Sequence, residues 1–164
     1  MKFFFDMYAS PIGEIHVILD ERGIRKISMT EAEWQQDQQE LSQFGSLSHA
    51  PGNCKKAMEQ LDEYFKGKRK QFDLPLSIVG TEFRKKVWQQ LLDIPYGIVK
   101  SYSDVAIAVG NPKAVRAIGQ ANRANPIPIV IPCHRVIGKQ GALVGYAGNR
   151  TDVKAFLLQL EGAI

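Results

Sequence analysis

No stretch of this 164-residue chain approaches the ~18 consecutive apolar residues that a membrane-spanning helix needs. Nor does the start read as a signal peptide, because Asp6 follows only three apolar residues, Phe3-Phe4-Phe5. Cysteine is scarce. Cys54 and Cys133 cannot build a disulfide framework and suit a reducing compartment, so a cytoplasmic protein is expected. With three histidines and no ligand spacing, zinc is not expected either. What is present is a globular composition, 45% hydrophobic and 23% charged, in a length that suits one ordinary domain or two small ones.

Charge is unevenly placed. Residues 1–79 hold 10 Lys and Arg against 12 Asp and Glu, a net of −2; residues 80–164 hold 11 against 5, a net of +6. A basic second half suits an anionic partner or a solvated basic face. The Leu74-Pro75 to Gly80 stretch lies where the balance changes, so the chain is divided into 1–79 and 80–164.

Three apolar runs in the first half, at 2–8, 12–19 and 24–29, are separated by Ser10-Pro11 and Asp20–Gly23. They predict a three-stranded antiparallel meander. Thr30 and Glu33 have capping-box spacing and should open a helix to about 40. A second helix is expected over 53–66, with Gly67 as its stop. The Lys66–Lys70 basic run reads as a solvated helix end. Nothing in this half carries evident chemistry, and it reads as an α/β scaffold.

The second half reads as mainly helical. Thr81 should cap a helix with Phe83, Val87, Trp88, Leu91 and Leu92 on its apolar face, Trp88 being core. Ser103 is expected to cap a short helix stopped by Gly110, and Asn111-Pro112 to start the next. Two short helices so joined make a helix-turn-helix, whose second member bears Lys113, Arg116 and Arg123 and no acid. Three prolines in the seven residues 126–132 then forbid a helix ahead of Cys133-His134. A thiol with a pKa near ~8.5 is only slightly ionised at neutral pH, and a histidine within reach can take its proton. Glu161 is a candidate to orient that histidine. Adjacent residues of an extended segment point to opposite faces, however, so the residues alone leave Cys133 as either nucleophile or buried inert thiol.

The string Ile131-Pro132-Cys133-His134-Arg135-Val136 resembles the active-site motif of the methylated-DNA–protein-cysteine methyltransferases. Pro95-Tyr96-Gly97, Ser101-Tyr102, Gly110–Ala114, Arg116-Ala117, Asn125-Pro126, Gly145–Gly148, Leu157-Leu158 and Glu161-Gly162 are similar to that family in order and nearly in spacing. The resemblance implies a ribonuclease-H-like first domain. It also implies stoichiometric transfer of an alkyl group from O6 of guanine, and O4 of thymine, onto Cys133, with the base flipped out of the duplex. It makes His134 the base acting through a water, Glu161 its orienting group, Tyr102 the proton donor to the leaving guanine and Asn125 an active-site hinge. Arg116 becomes the finger that fills the vacated stack, with Lys113, Ser103 and Arg123 on the DNA. Pro128, Tyr146, Ala147 and Gly148 would wall the alkyl pocket, and Arg135 would hold structure.

The partner so implied is double-stranded DNA carrying alkylated bases. No cofactor, metal or membrane is called for, and with no evident dimer seam a monomer is expected. Asn149–Asp152 stands where the family carries a glycine pair and is one residue longer; Thr151 is expected to cap the last helix instead. Three competing readings are a sequence-specific regulator with an idle thiol, a damage sensor without chemistry, and a cysteine hydrolase. Cys133 argues against the sensor, and nothing in the sequence supplies a hydrolase's oxyanion hole.

Overall fold

The computed structural model describes residues 1–138 and 151–164. The chain divides into two compact units, Met1–Ile78 and Val79–Ile164. No helix among the described residues is long and apolar enough to cross a membrane.

In the first unit, strands β1 (Lys2–Ser10), β2 (Gly13–Leu19) and β3 (Ile24–Ser28) form an antiparallel meander. The meander is joined by a fourth strand, absent from the three-stranded expectation. β4 (Ser46–His49) pairs parallel with β1, so the sheet is four-stranded and mixed, in the order β3-β2-β1-β4. Its sequence, Ser-Leu-Ser-His, carries one apolar residue, and as a short edge strand it has no alternation to detect. Helices α1 (Glu31–Ser42) and α2 (Pro51–Phe65) complete the unit, α2 opening two residues earlier than expected with Pro51 in its first turn. Thr30 caps α1 by accepting from the Glu33 amide, as the capping-box spacing requires.

Side chains alternate across the sheet, so each face takes one helix. Phe3 and Ile18 pack with Trp34 and Leu41 of α1, and Phe5 and Leu47 flank them. On the opposite face Tyr8 stacks on Phe65 of α2 and donates to Asp62.

The second unit contains α3 (Glu82–Leu92), β5 (Lys100–Ser101), α4 (Tyr102–Ala108), α5 (Val115–Arg123), β6 (Val136–Ile137) and α6 (Thr151–Leu160). α5 packs on α3 and α4. Trp88 is core, and its indole N–H donates to the Ala121 carbonyl of α5 at 2.8 Å. A Cβ at Gly80 would lie 2.6 Å from the Trp88 ring, so only glycine lets the chain pass there.

Three local expectations are corrected. α4 is capped by Ser101 rather than Ser103, through a complete capping box with Asp104. Ser103 is instead an exposed residue inside the first turn. α5 begins at Val115, not at Asn111-Pro112. The Asn111 amide closes α4 by donating to Ala106, with Gly110 at φ 85°, and its carbonyl accepts from Ala114 in a turn. Finally, α6 takes Thr151 as its own first residue.

Candidate active site

The Pro-rich segment after α5 is not simply extended. Pro132 adopts φ −81°, ψ 63°, and the Cys133 amide donates across it to the Ile131 carbonyl at 2.8 Å. This is an inverse γ-turn, a geometry open to proline because its φ is already fixed. The chain then closes into a single 3-10 turn, Cys133–Arg135. The segment at Cys133-His134 is therefore a turn, not the extended chain whose alternation left the role of the thiol open. Just before it, Ile129 holds φ 75°, a left-handed conformation that costs a β-branched residue about 1–3 kcal/mol. Asn125 brackets that strain: its Oδ1 accepts from Ile127 at 3.0 Å and its Nδ2 donates to the Ile131 carbonyl at 2.8 Å. The Asn125 side chain also hydrogen-bonds Cys133.

The short β5–β6 pair, Lys100 with Val136 and Ser101 with Ile137, joins the start of α4 to the end of this turn. It thereby sets Tyr102, the first residue of α4, near Cys133; the two groups interact electrostatically.

Among the described residues, five buried polar side chains lie in or around the turn: Asn122, His134, Arg135, Lys154 and Glu161. Glu161 lies one residue beyond α6 and gathers two of the others, His134 and Arg135. His134 Nε2 lies 2.7 Å from its Oε2, while Arg135 donates from Nε at 2.8 Å and Nη2 at 3.1 Å. Arg135 also donates to the Ile94 carbonyl. Gly97 follows Tyr96 in the Pro95-Tyr96-Gly97 turn, and a Cβ there would come within 3.2 Å of the Glu161 carbonyl. With its Nε2 proton directed to a carboxylate, His134 carries its lone pair on Nδ1, the nitrogen able to accept a proton. Burial lowers the His134 pKa below its ordinary value and Glu161 opposes that shift, so the ring is neutral at neutral pH.

Burial pushes the Cys133 thiol up to about 11, against the Asn125 hydrogen bond and the Lys154 charge, which favour the thiolate. Burial likewise pushes Tyr102 up to about 12. A thiol in this state is unreactive until a base takes its proton. A phenol in this state stays protonated, able to donate.

Two members of the cluster were missed in the sequence. Lys154 is fully buried in α6, donates to the Val136 carbonyl and sits 5.9 Å from the Tyr102 ring centroid. A lysine among Val153, Leu157 and Leu158 was the available signal. Asn122 donates from Nδ2 to the Cys133 carbonyl at 3.3 Å and hydrogen-bonds Tyr102.

The expected DNA-facing residues are exposed rather than buried with this cluster, and of them Arg123 acts electrostatically on Tyr102. Lys113 is exposed in the turn before α5, Arg116 is exposed in its first turn and Arg123 is exposed at its end. Pro128 is buried. Tyr146, Ala147 and Gly148, expected to wall the alkyl pocket, lie outside the described residues, as do Asn149 and Arg150.

Residues 4–78 match a family model described as 6-O-methylguanine DNA methyltransferase, ribonuclease-like domain, and residues 82–163 match its DNA binding domain. The chain is 51% identical over 152 residues to the constitutive methylated-DNA–protein-cysteine methyltransferase of Bacillus subtilis, covering 93% of this chain and 91% of that one. It is similar to the O6-methylguanine methyltransferase of Mycobacterium tuberculosis, with a TM-score of 0.87, 37% identity, and 98% and 93% of the two chains covered. A Mycobacterium tuberculosis OGT solved in complex with DNA gives a TM-score of 0.84 at 37% identity, covering 99% and 94%.

Proposed function

The chain belongs to the 6-O-methylguanine DNA methyltransferase family, and on that premise we propose that it repairs alkylated DNA by moving the alkyl group from O6 of guanine to the sulfur of its own Cys133. One observation carries this reading: a buried cysteine shares a turn with His134, which is held by Glu161, and interacts electrostatically with the Tyr102 phenol. O4-alkylthymine, with the same alkyl-oxygen chemistry, is the second substrate.

His134, through a water, takes the Cys133 proton, and Glu161 supports the positive charge that forms on the ring. The thiolate attacks the alkyl carbon in line. The S–C bond forms, the C–O6 bond breaks, and the departing guanine receives a proton at N3 from Tyr102. The product is a thioether with no hydrolytic route back, so each molecule acts once and needs no cofactor. Asn125 anchors the segment on which Cys133 rides.

The target oxygen lies on a base edge inside the duplex, so the nucleotide is flipped out. α4 and α5 are read as a helix-turn-helix with α5 in the minor groove and Arg116 filling the vacated stack. Ser103, Lys113 and Arg123 are phosphate contacts. Pro128, Tyr146, Ala147 and Gly148 form the pocket. Residues 1–79, ribonuclease-H-like, are the scaffold, and 80–164 bind DNA and react. The protein works as a cytoplasmic monomer.

Intact-protein mass after mixing with excess O6-methylguanine duplex tests this reading. A gain of about 14 Da, saturating at one per protein and absent in Cys133→Ala, is the expected result. Unchanged mass with undiminished DNA binding would leave a sensor or regulator in its place.

A further inference from the structure

Among the buried polar groups of the second unit, Asn122 has no part in the scheme above. It is fully buried and sits in α5, the helix proposed to enter the DNA. A buried amide is costly unless its two N–H donors are used. One N–H goes to the carbonyl of Cys133 itself, at 3.3 Å. The Asn122 side chain also hydrogen-bonds Tyr102, in the sense that favours the phenolate over the phenol. Asn125, one turn further on, holds the strained backbone around Ile129. The two asparagines therefore divide the work: Asn125 fixes the segment, and Asn122 touches both the nucleophile's residue and the proton donor.

We propose that Asn122 is a positioning residue for alkyl transfer: a single amide holds the Cys133 carbonyl and the Tyr102 phenol together and stabilises the phenolate left when the leaving guanine takes its proton. The inference rests on the proposed function and on Tyr102 as donor. Before transfer the phenol is neutral and its bond to the amide is an ordinary one. When the proton goes to the guanine, the phenolate accepts a charge-assisted bond, which is stronger and forms only along the reaction path. Because the amide lies on α5, any displacement of that helix by DNA reaches the proton donor directly.

The test compares two reactions of Cys133. The first is the single-turnover rate on duplex O6-methylguanine, whose leaving group takes a proton. The second is alkylation by iodoacetamide, whose iodide leaves without one, read at Cys133 by peptide mass. Asn122→Leu keeps the volume, and Asn122→Asp keeps the shape while replacing the donor; each is checked for wild-type folding by circular dichroism and for DNA affinity. Losing a bond to a developing charge should slow repair about ten- to a hundredfold and leave iodoacetamide alkylation unchanged. In a Tyr102→Phe background the same substitutions should cost nothing further, because the group they act through is gone.

Equal slowing of both reactions would mean that Asn122 merely shapes the turn. A full additional loss in Tyr102→Phe would also overturn the inference. Failure of the wild-type protein to take up methyl at all would instead remove the proposed function, so the two failures are distinct.

Discussion

Each of the two units buries one cysteine, and by burial alone the two are alike. Cys54 in α2 and Cys133 in the 3-10 turn are both sealed from solvent, and burial pushes each thiol up to about 11. Their neighbours differ. Cys54 feels the carboxylate of Asp6, which disfavours the thiolate further. Cys133 has a hydrogen bond from Asn125 and the charge of Lys154, both of which favour it. Buried polar groups of the first unit tie its backbone and loops together: Gln60 pairs with both backbone groups of Asp73, and Asp20 holds the Arg22 and Gly23 amides of a turn and accepts from Ser77. Those of the second unit converge on one turn. An enclosed thiol is inert by default, and only a convergent polar network turns it into a nucleophile.

The strongest way to break this comparison is to exchange the fates of the two cysteines. Cys133→Ala should abolish methyl uptake completely, while Cys54→Ala should leave the rate and the one-to-one stoichiometry intact, both read by intact mass. Cys54→Ala should cost only stability, about 1–2 kcal/mol by urea unfolding, from the small cavity left in the core. Methyl uptake that survives in Cys133→Ala would place the nucleophile elsewhere.

Next in size is the loss of Glu161. Glu161→Ala leaves the Arg135 guanidinium buried without its carboxylate, which should cost about 3–5 kcal/mol of stability. The milder Glu161→Gln keeps the shape and exposes the pH logic. In the wild type, His134 has a pKa below its ordinary value of 6.5, so the acid limb of the transfer rate should lie below pH 6.5. Glu161 holds that pKa up against burial. Its neutralisation should move the acid limb to lower pH and depress the plateau, read by single-turnover rates from pH 5 to 8.

Much of this arrangement was legible before the fold, and the reason is local. Pro132-Cys133-His134-Arg135 is a contiguous string, Thr30 and Thr81 cap their helices by local rules, and Trp88 lies on a periodic apolar face. What escaped depended on contacts distant in sequence. β4 exists because β1 offers it an edge, not because Ser46–His49 alternates. Asn122 reads as an ordinary polar helix residue until the chain returns eleven residues later with the Cys133 carbonyl. Ser103 displaced Ser101 as the expected cap because both are serines ahead of an apolar face; the Asp104 side chain, three residues after Ser101, was the deciding signal.

A smaller effect separates the two units by their lysines. Lys154 is a charge inside the protein, and burial lowers it from 10.5 to about 8. Between those values the unfolded chain binds more protons than the folded one, so wild-type stability should rise as pH climbs from 8 to 10.5. Lys154→Met should flatten that rise. Below pH 8 it should stabilise the fold by about 1–3 kcal/mol, because a buried charge is exchanged for an apolar side chain of similar length. Urea unfolding at pH 7 and pH 10 reads both effects. Increased stability with slowed methyl transfer would mark Lys154 as held for chemistry at the expense of the fold.

The smallest expected effect concerns exposed cations, of which the sequence holds two clusters, the Lys66–Lys70 run read as a solvated helix end and the α5 set read as facing DNA. In the first unit, Lys66 is paired with Asp62 and Arg69 with Glu63, so their charge is largely matched within the unit. Around α5, Lys113, Arg116 and Arg123 are exposed, and the helix itself contains no acid. A lysine that neutralises one phosphate releases counterions and contributes close to one unit to the slope of log K against log salt. Lys113→Ala should therefore weaken duplex binding equally on damaged and undamaged DNA and reduce that slope by about 1. Lys66→Ala should change neither. The measurement is a fluorescence-anisotropy titration at several salt concentrations. An unchanged slope for Lys113→Ala together with a reduced slope for Lys66→Ala would move the DNA-binding surface to the first unit, even if Cys133 still reacts.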